Sequence, residues 1–351
     1  MVKKATFDAV QWLQQLVATP RVSRDETSAA DFLEDVMCSL DLDTQRSGNN
    51  LWSIRPDYDE ARPTLLLNAH IDTVKPHPSW TRDPFAPTIE DGRLYGLGTN
   101  DDGASLVSLL QVFRLLPQGQ AYNLIFLASA EEEVGGANGV SSVLPLLPRI
   151  DVGLVGEPTS MQPAVAEKGL LVIDVTEHGV AGHAARNEGD NALYHAVDDI
   201  QRIRQLDFGE PSPLLGPVKA TVTICNCGTQ HNVIPAECTF TIDVRSNELH
   251  SNEELLALIS SQLQGDCHAR STRLQSSSIA MTHPLVQRAV AQGRTPFGSP
   301  TLSDQSLMRF PTMKMGPGDS RRSHTADEYI EIAEIEDAIA VYLNLLDGLR
   351  L

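Results

Sequence analysis

Residues 65–74 read LLLNAHIDTV, an apolar run that ends in His70 and, two positions on, Asp72. Consecutive apolar positions mark a strand buried on both faces, as in a parallel sheet covered by helices on each side. Two further runs share this texture, NLIFLASA at 123–130 and VGLVG at 152–156. Between the first two, Leu106, Leu109, Leu110 and Phe113 follow the three-and-four spacing of a helix. The same spacing predicts helices over 5–18 (Phe7, Val10, Leu13, Leu16, Val17) and 28–40 (Phe32, Leu33, Val36, Met37, Leu40). The fold class that follows is α/β, built on a large, mostly parallel sheet.

From about residue 169 the texture changes. The pattern predicts a strand over 169–177, a helix over 190–206, strands over 218–226 and 237–244, a helix over 251–264 and a strand over 270–277. This βαββαβ order is that of a small ferredoxin-like unit. Beyond 283 the helix and strand alternation resumes, ending in an amphipathic helix through Ile335, Ile339, Tyr342, Leu343 and Leu346. The expected organisation is a large domain formed by 1–168 and 281–351, interrupted by a small one at 169–280.

Length and composition agree with this plan. A chain of 351 residues is long enough for two domains with a sizeable core. Hydrophobic residues at 41% and charged residues at 21% argue against disorder. A formal charge of −19 repels phosphate backbones and anionic lipid, so neither nucleic acid nor membrane is expected as a partner. No run approaches the roughly 18 apolar residues of a membrane span, and MVKKATFDAVQWLQQL at the N-terminus lacks an uninterrupted apolar segment; a cytoplasmic protein is expected. Five cysteines without a CxxC pair suggest reduced, structural thiols.

The polar residues at the strand ends carry the chemistry. Open α/β sheets bind ligands at the carboxyl ends of their strands. Alone, His70 reads as a histidine in a surface turn; with Asp72 two residues on, it reads as an imidazole ligand whose second nitrogen is held by a carboxylate. GLGTNDDGAS places Asp101 and Asp102 before a helix, where either alone would serve as an N-cap. SAEEEVGG releases Glu131, Glu132 and Glu133 from the end of a buried strand, VGLVGEPT ends at Glu157, and GPGDSRRSHTADEY puts His324 in a glycine-rich loop. Each is ordinary singly, but all of these segments presenting His, Asp or Glu is not. Two histidines with three or more carboxylates suit a pair of divalent ions, zinc foremost, with cobalt or manganese also matching the donors. With Asp101, Glu133 and Glu157 as ligands, Glu132 remains free to act as a base.

These motifs, together with HGVAGHAAR, HNVIPAE, TIDVR and TLSDQ, span nearly the whole chain. It resembles the di-zinc hydrolases that include acetylornithine deacetylase, succinyl-diaminopimelate desuccinylase, aminoacylase and carboxypeptidase G. The resemblance implies two Zn2+ per subunit, one held by His70 and Glu157, the other by Glu133 and His324, with Asp101 bridging both. It implies that Asp72 orients His70, that Glu132 is the general base acting on water between the ions, and that His183 of AGHAA stabilises the oxyanion from across a dimer. The small domain would then serve as lid and dimerisation surface. Arg245 and Asn232 resemble contacts for the substrate α-carboxylate; Lys168, Arg321 and Arg322 are weaker candidates. The chain departs from the family where Glu131 stands in place of aspartate and where DDGAS replaces an Asp-Met-Lys-Gly pattern. The reaction implied is hydrolysis of an N-acyl-L-amino acid amide, N-acetyl-L-ornithine first, in arginine biosynthesis. The alternatives are succinyl-diaminopimelate desuccinylase and a di- or tripeptidase or carboxypeptidase on the same scaffold. A fold that had lost its chemistry should lack a ligand or the base, and an acidic patch without metal would bury several carboxylates unpaired.

Overall fold

The strand Thr64–His70 is buried along its entire length, and its neighbours explain why. It lies between Asn123–Ser129 and Val152–Val155, parallel to both, and Thr312–Lys314 continues the parallel set beyond Val152–Val155. On the other side Asn50–Ile54 and Thr44–Ser47 extend the sheet as antiparallel strands. The computed structural model describes residues 2–186 and 188–351.

Alternate side chains of the central strands feed two cores, as the two-residue period of a strand demands. Leu66, Ile125, Leu127 and Val155 pack with Trp52, Val140, Val143 and Met308 on one face. The helices Val2–Ala18, Ala104–Leu115 and Ile332–Leu346 pack against one another, and the second of them also packs on Thr64–His70. Helix Ala104–Leu115 is buried nearly all round, which is why its sequence reads as apolar rather than sharply amphipathic.

Register then sets the site. His70 is level with Ser129, and Asn68 with Val155. The chain therefore leaves three adjacent parallel strands at one edge, with His70, Glu132 and Glu157 within three residues of the strand ends.

The chain divides into two compact units, the first formed by Met1–Val165, Ser278–Phe297 and Ser303–Leu351, the second by Ala166–Ser277 and Gly298–Leu302. The second unit carries a four-stranded antiparallel sheet in the order Lys219–Cys227, Glu237–Ser246, Gly169–His178, Asp266–Ser271. Helices Ala192–Gln205 and Asn252–Gln262 complete the βαββαβ order. Its core gathers Leu171, Ile173 and Val175 with Phe240, Ile242 and Val244, under Ala196, Ile203, Leu255 and Ile259 of the two helices.

One boundary differs from expectation. The last strand runs over Asp266–Ser271 rather than 270–277. Cys267 and Ala269 are the side chains that pack on the core, and their small size gives the strand a weak hydrophobic signature. Residues after it turn away, where the Leu274 carbonyl accepts the Leu170 N–H and the Asn252 side chain.

Candidate metal centre

His70 ends its strand 2% exposed, and its two ring nitrogens meet different partners. Nδ1 lies 2.9 Å from the main-chain carbonyl of Asp72, with the Asp72 carboxylate farther away at 3.5 Å. Nε2 faces Asp101 Oδ1 at 3.2 Å. The backbone of residue 72 thus helps to orient the ring, and the Asp72 carboxylate, within ion-pair reach of Nδ1, has further partners. It accepts the N–H of Glu132 at 3.0 Å, the N–H of Glu133 at 3.2 Å and the Ser23 hydroxyl at 2.6 Å. Burial alone would raise the Asp72 pKa, but His70, Ser23 and the Glu132 amide hold it below the ordinary aspartate value.

The three adjacent glutamates separate by direction. Glu131 adopts a left-handed conformation with φ +54° and turns back into the fold, where its carboxylate accepts from the Asn138 side chain at 2.9 Å. Glu133 meets His324 Nε2 at 3.0 Å. Glu132 lies in the field of His70, Glu157, Asp304 and Glu133; burial lifts its pKa well above the ordinary glutamate value, and the three carboxylates add to this against the pull of His70. Repulsion between neighbours is thus relieved by sending one side chain inward and pairing another.

Asp101 stands between the two histidines. Its Oδ1 faces His70 and its Oδ2 lies 3.7 Å from His324 Nε2. Two groups of potential ligand atoms result, His70, Asp101 and Glu157 in one, Asp101, Glu133 and His324 in the other, each with all its atoms within 4.8 Å of one another. Burial raises the Glu157 pKa well above normal, with Asp101 adding to the effect. For His70 burial works toward a lower pKa, but Asp101 and Asp72 outweigh it and hold the ring well above its usual value. Glu133 and Asp101 lift His324 to about 9 against partial burial. Carboxyls such as Glu157 that resist ionisation, beside imidazoles that hold protons, mark a place where positive charge is favoured. The donors, two imidazoles and three carboxylates sharing one residue, fit a pair of divalent ions.

Other expected residues lie in the second unit. His183 and Asn232 come together in a short ladder in which Gly182–His183 pairs with Val233–Ile234 and the Asn232 carbonyl accepts the Ala184 N–H at 3.0 Å. His183 is exposed, and its Nδ1 accepts from Ala185 N. Arg245 is forked onto Asp243 of its own strand at 2.8 and 3.0 Å, so the fork suggested for a substrate carboxylate already has a partner. In the first unit Arg321 is paired with Asp319, and Arg322 with Glu334 while stacking on Tyr329. The Lys168 amide donates to Ser299. The sequence assigns no role to four residues around the site: Arg21 and Ser23, which lie in no motif, and Asp304 and Glu328, which lie within TLSDQ and GPGDSRRSHTADEY. The role of each arises from contacts 49 to 230 positions away.

Comparison with known proteins agrees with the site. Residues 66–348 match Peptidase family M20/M25/M40. The chain is 26% identical to an acetylornithine deacetylase of Proteus mirabilis (strain HI4320), covering 95% of this chain and 94% of the relative. It is 28% identical to a succinyl-diaminopimelate desuccinylase of Caulobacter sp. (strain K31), covering 97% and 96%. A dinuclear metal-binding peptidase of the M20 family from Bacillus subtilis shares the fold with a TM-score of 0.71 at 13% identity, over 98% of each chain. This chain belongs to peptidase family M20/M25/M40 and is a metal-dependent hydrolase of that family.

Proposed function

We propose that this protein hydrolyses the amide bond of an N-acyl-L-amino acid, N-acetyl-L-ornithine foremost, and serves arginine biosynthesis in the cytoplasm. The observation that carries the reading is the position of Asp101, with one carboxylate oxygen toward each of two histidine and carboxylate groups. His70, Asp101 and Glu157 would hold one divalent ion, and Asp101, Glu133 and His324 the other, zinc being the expected metal. Such a pair supplies Lewis acidity toward the amide carbonyl and lowers the pKa of water.

The chain's own residues do the rest. Glu132, whose environment raises its proton affinity, takes a proton from the attacking water as the new C–O bond forms. It returns that proton to the amine nitrogen as the C–N bond breaks, leaving a carboxylate and a free amino acid. Asp72 fixes the backbone on which Glu132 and Glu133 sit. His183 is the candidate donor to the oxyanion, and Asn232 and Arg245 are the candidates for the α-carboxylate, Arg245 after exchange of its Asp243 partner. The deacetylase and desuccinylase relatives support an acyl amino acid substrate; the M20 peptidase sharing the fold supports a peptide as the second reading.

A homodimer through the second unit belongs to the same proposal. The strand Lys219–Cys227 is an edge strand with Ile224 49% exposed, and helix Ala192–Gln205 exposes Leu193, Tyr194 and Val197. A sheet edge beside apolar side chains suits pairing with a second copy. Among the described residues no helix is long and apolar enough to cross a membrane.

The test is a substrate panel on zinc-loaded and cobalt-loaded protein: N-acetyl and N-succinyl derivatives of ornithine, citrulline and diaminopimelate, beside dipeptides. N-acetyl-L-ornithine is expected to give the highest kcat/KM. Faster cleavage of dipeptides would transfer the assignment to the peptidase reading.

A further inference from the structure

The carboxylates at the site must be held together before any cation offsets their repulsion, and two side chains outside the ligand set are placed to do so. Arg21, in the loop after helix Val2–Ala18, is 2% exposed. Its Nη1 donates to the main-chain carbonyl of Ile71, between His70 and Asp72, and its Nη2 to that of Gly98 at 2.9 Å. One planar guanidinium thus joins the segments that carry His70 and Asp101, a two-point grip suited to a forked donor.

Glu328, also 2% exposed, holds the second segment by its amides. It accepts from Gly98 N at 3.0 Å, Asn100 N at 2.8 Å and Asp101 N at 2.9 Å. Gly98 is held at its carbonyl by a buried cation and at its amide by a buried anion. Glycine is required there, with φ +74° and a position for Cβ 2.5 Å from Arg21 Nη2. A Cβ at Gly103 would lie 2.4 Å from the Gly98 carbonyl oxygen, 2.5 Å from Leu13 Cδ1 and 3.1 Å from the same nitrogen, so the carbonyl that Arg21 holds, with Leu13, closes the space after Asp102. Arg21 also lies in the field of Glu328, Asp72, Asp102 and Asp101, and leaving those charges without a buried cation would be strongly unfavourable. Glu328 is four residues beyond His324, so the same carboxylate ties a third ligand-bearing segment to the other two.

We infer that Arg21 and Glu328 are positioning residues that together fix the segments bearing His70, Asp101 and His324, so that Asp101 stands between the two histidines. The inference rests on the reading of the site as a dinuclear metal centre.

The experiment compares full-length wild type with Glu328→Gln, Arg21→Met and Arg21→Lys. Zn2+ affinity is measured by competition with a chelator of known strength, kcat and KM on the best substrate of the panel, and the thermal midpoint on metal-free protein. Loss of groups that orient metal ligands typically weakens metal binding or activity by about 10- to 100-fold. That loss is expected for Glu328→Gln and Arg21→Met, in both Zn2+ equivalents together because Asp101 is common to them. Values of kcat should fall by a similar factor with KM within about twofold. Arg21→Lys, which keeps the charge and loses the fork, should lie between. Wild-type Zn2+ affinity and kcat in folded Glu328→Gln would overturn the inference, as would a lower metal-free midpoint with unchanged affinity. Should Arg21→Met fail to fold, the near-isosteric Glu328→Gln decides alone. Failure of the wild type to bind Zn2+ would overturn the proposed function and this inference with it; two bound equivalents with unaffected variants would overturn this inference alone.

Discussion

The Asp72 carboxylate accepts the main-chain N–H of Glu132 at 3.0 Å, joining a residue two positions from His70 to the proposed base. The same carboxylate takes the Glu133 N–H, so one buried anion shapes the turn that presents both the proposed proton acceptor and a proposed ligand. Asp72→Asn keeps the size but offers an NH2 group where an N–H donor needs an oxygen. A fall in kcat of about 100-fold is expected, with Zn2+ affinity lower by about 10-fold and little change in KM. Steady-state kinetics beside chelator competition would check it, and wild-type kcat would refute the role given to Asp72.

Glu132→Ala removes the proposed base and no candidate ligand. Loss of turnover by a factor on the order of 1,000 is expected, within the range of general acid–base contributions, with two metal equivalents retained by elemental analysis. Residual activity near wild type would reassign the base, whereas lost metal would move Glu132 into the ligand set.

Ions that bind the native state and not the unfolded chain stabilise it by mass action, by about 2.7 kcal/mol when free metal is 100 times its Kd. Stripping the protein with a chelator should therefore lower the thermal midpoint of the first unit by several degrees, and Zn2+ should restore it. A midpoint indifferent to chelation would remove the metal centre from the account.

Legibility differed between fold and site for a physical reason. The buried strands Thr64–His70 and Asn123–Ser129 announce themselves because both faces are covered and each carries an uninterrupted apolar run, Leu65 to Leu67 in one and Leu124 to Ala128 in the other. The small unit's strand Asp266–Ser271 does not, because Cys267 and Ala269 are small and its exposed positions are polar. His70 and Glu157 are each ordinary alone and become legible as strand-end chemistry only because several strand ends present His, Asp or Glu together. The use of the Asp72 carboxylate does not show in this way, since it depends on Glu132, 60 positions further along the chain, folding back onto it. Nor does the two-point grip of Arg21, whose acceptors are main-chain carbonyls and leave no mark on side-chain pattern.

Exposed apolar side chains on the second unit predict its association. Ile224 on the edge strand and Tyr194 on the adjoining helix Ala192–Gln205 are 49% and 67% exposed. Ile224→Lys puts a charge on the edge, a means by which natural sheets prevent pairing. Wild type should sediment as a dimer of 38.2 kDa chains and the variant as a monomer. A monomeric wild type would exclude the dimer, and a dimeric variant would place its interface elsewhere.

The second unit carries a pH-dependent contribution of its own. Glu177 is 2% exposed in strand Gly169–His178, beside Asp199 of helix Ala192–Gln205. Asp199 is itself buried, accepts the Gln264 and Gly265 N–H groups and is paired with Arg202. Burial, followed by the neighbouring Asp199, pushes Glu177 up to about 7, with His195 opposing. A carboxyl whose pKa is raised on folding favours the native state most below its unfolded pKa and loses that contribution as pH rises through the folded value. The wild-type unit should thus weaken between about pH 4.5 and 8. Glu177→Gln cannot ionise and can donate to Asp199. It should raise the unfolding midpoint at pH 8 and leave it nearly unchanged at pH 5. Denaturant unfolding at the two pH values decides the matter, since an equal difference at both would mean that folding does not raise the pKa of Glu177.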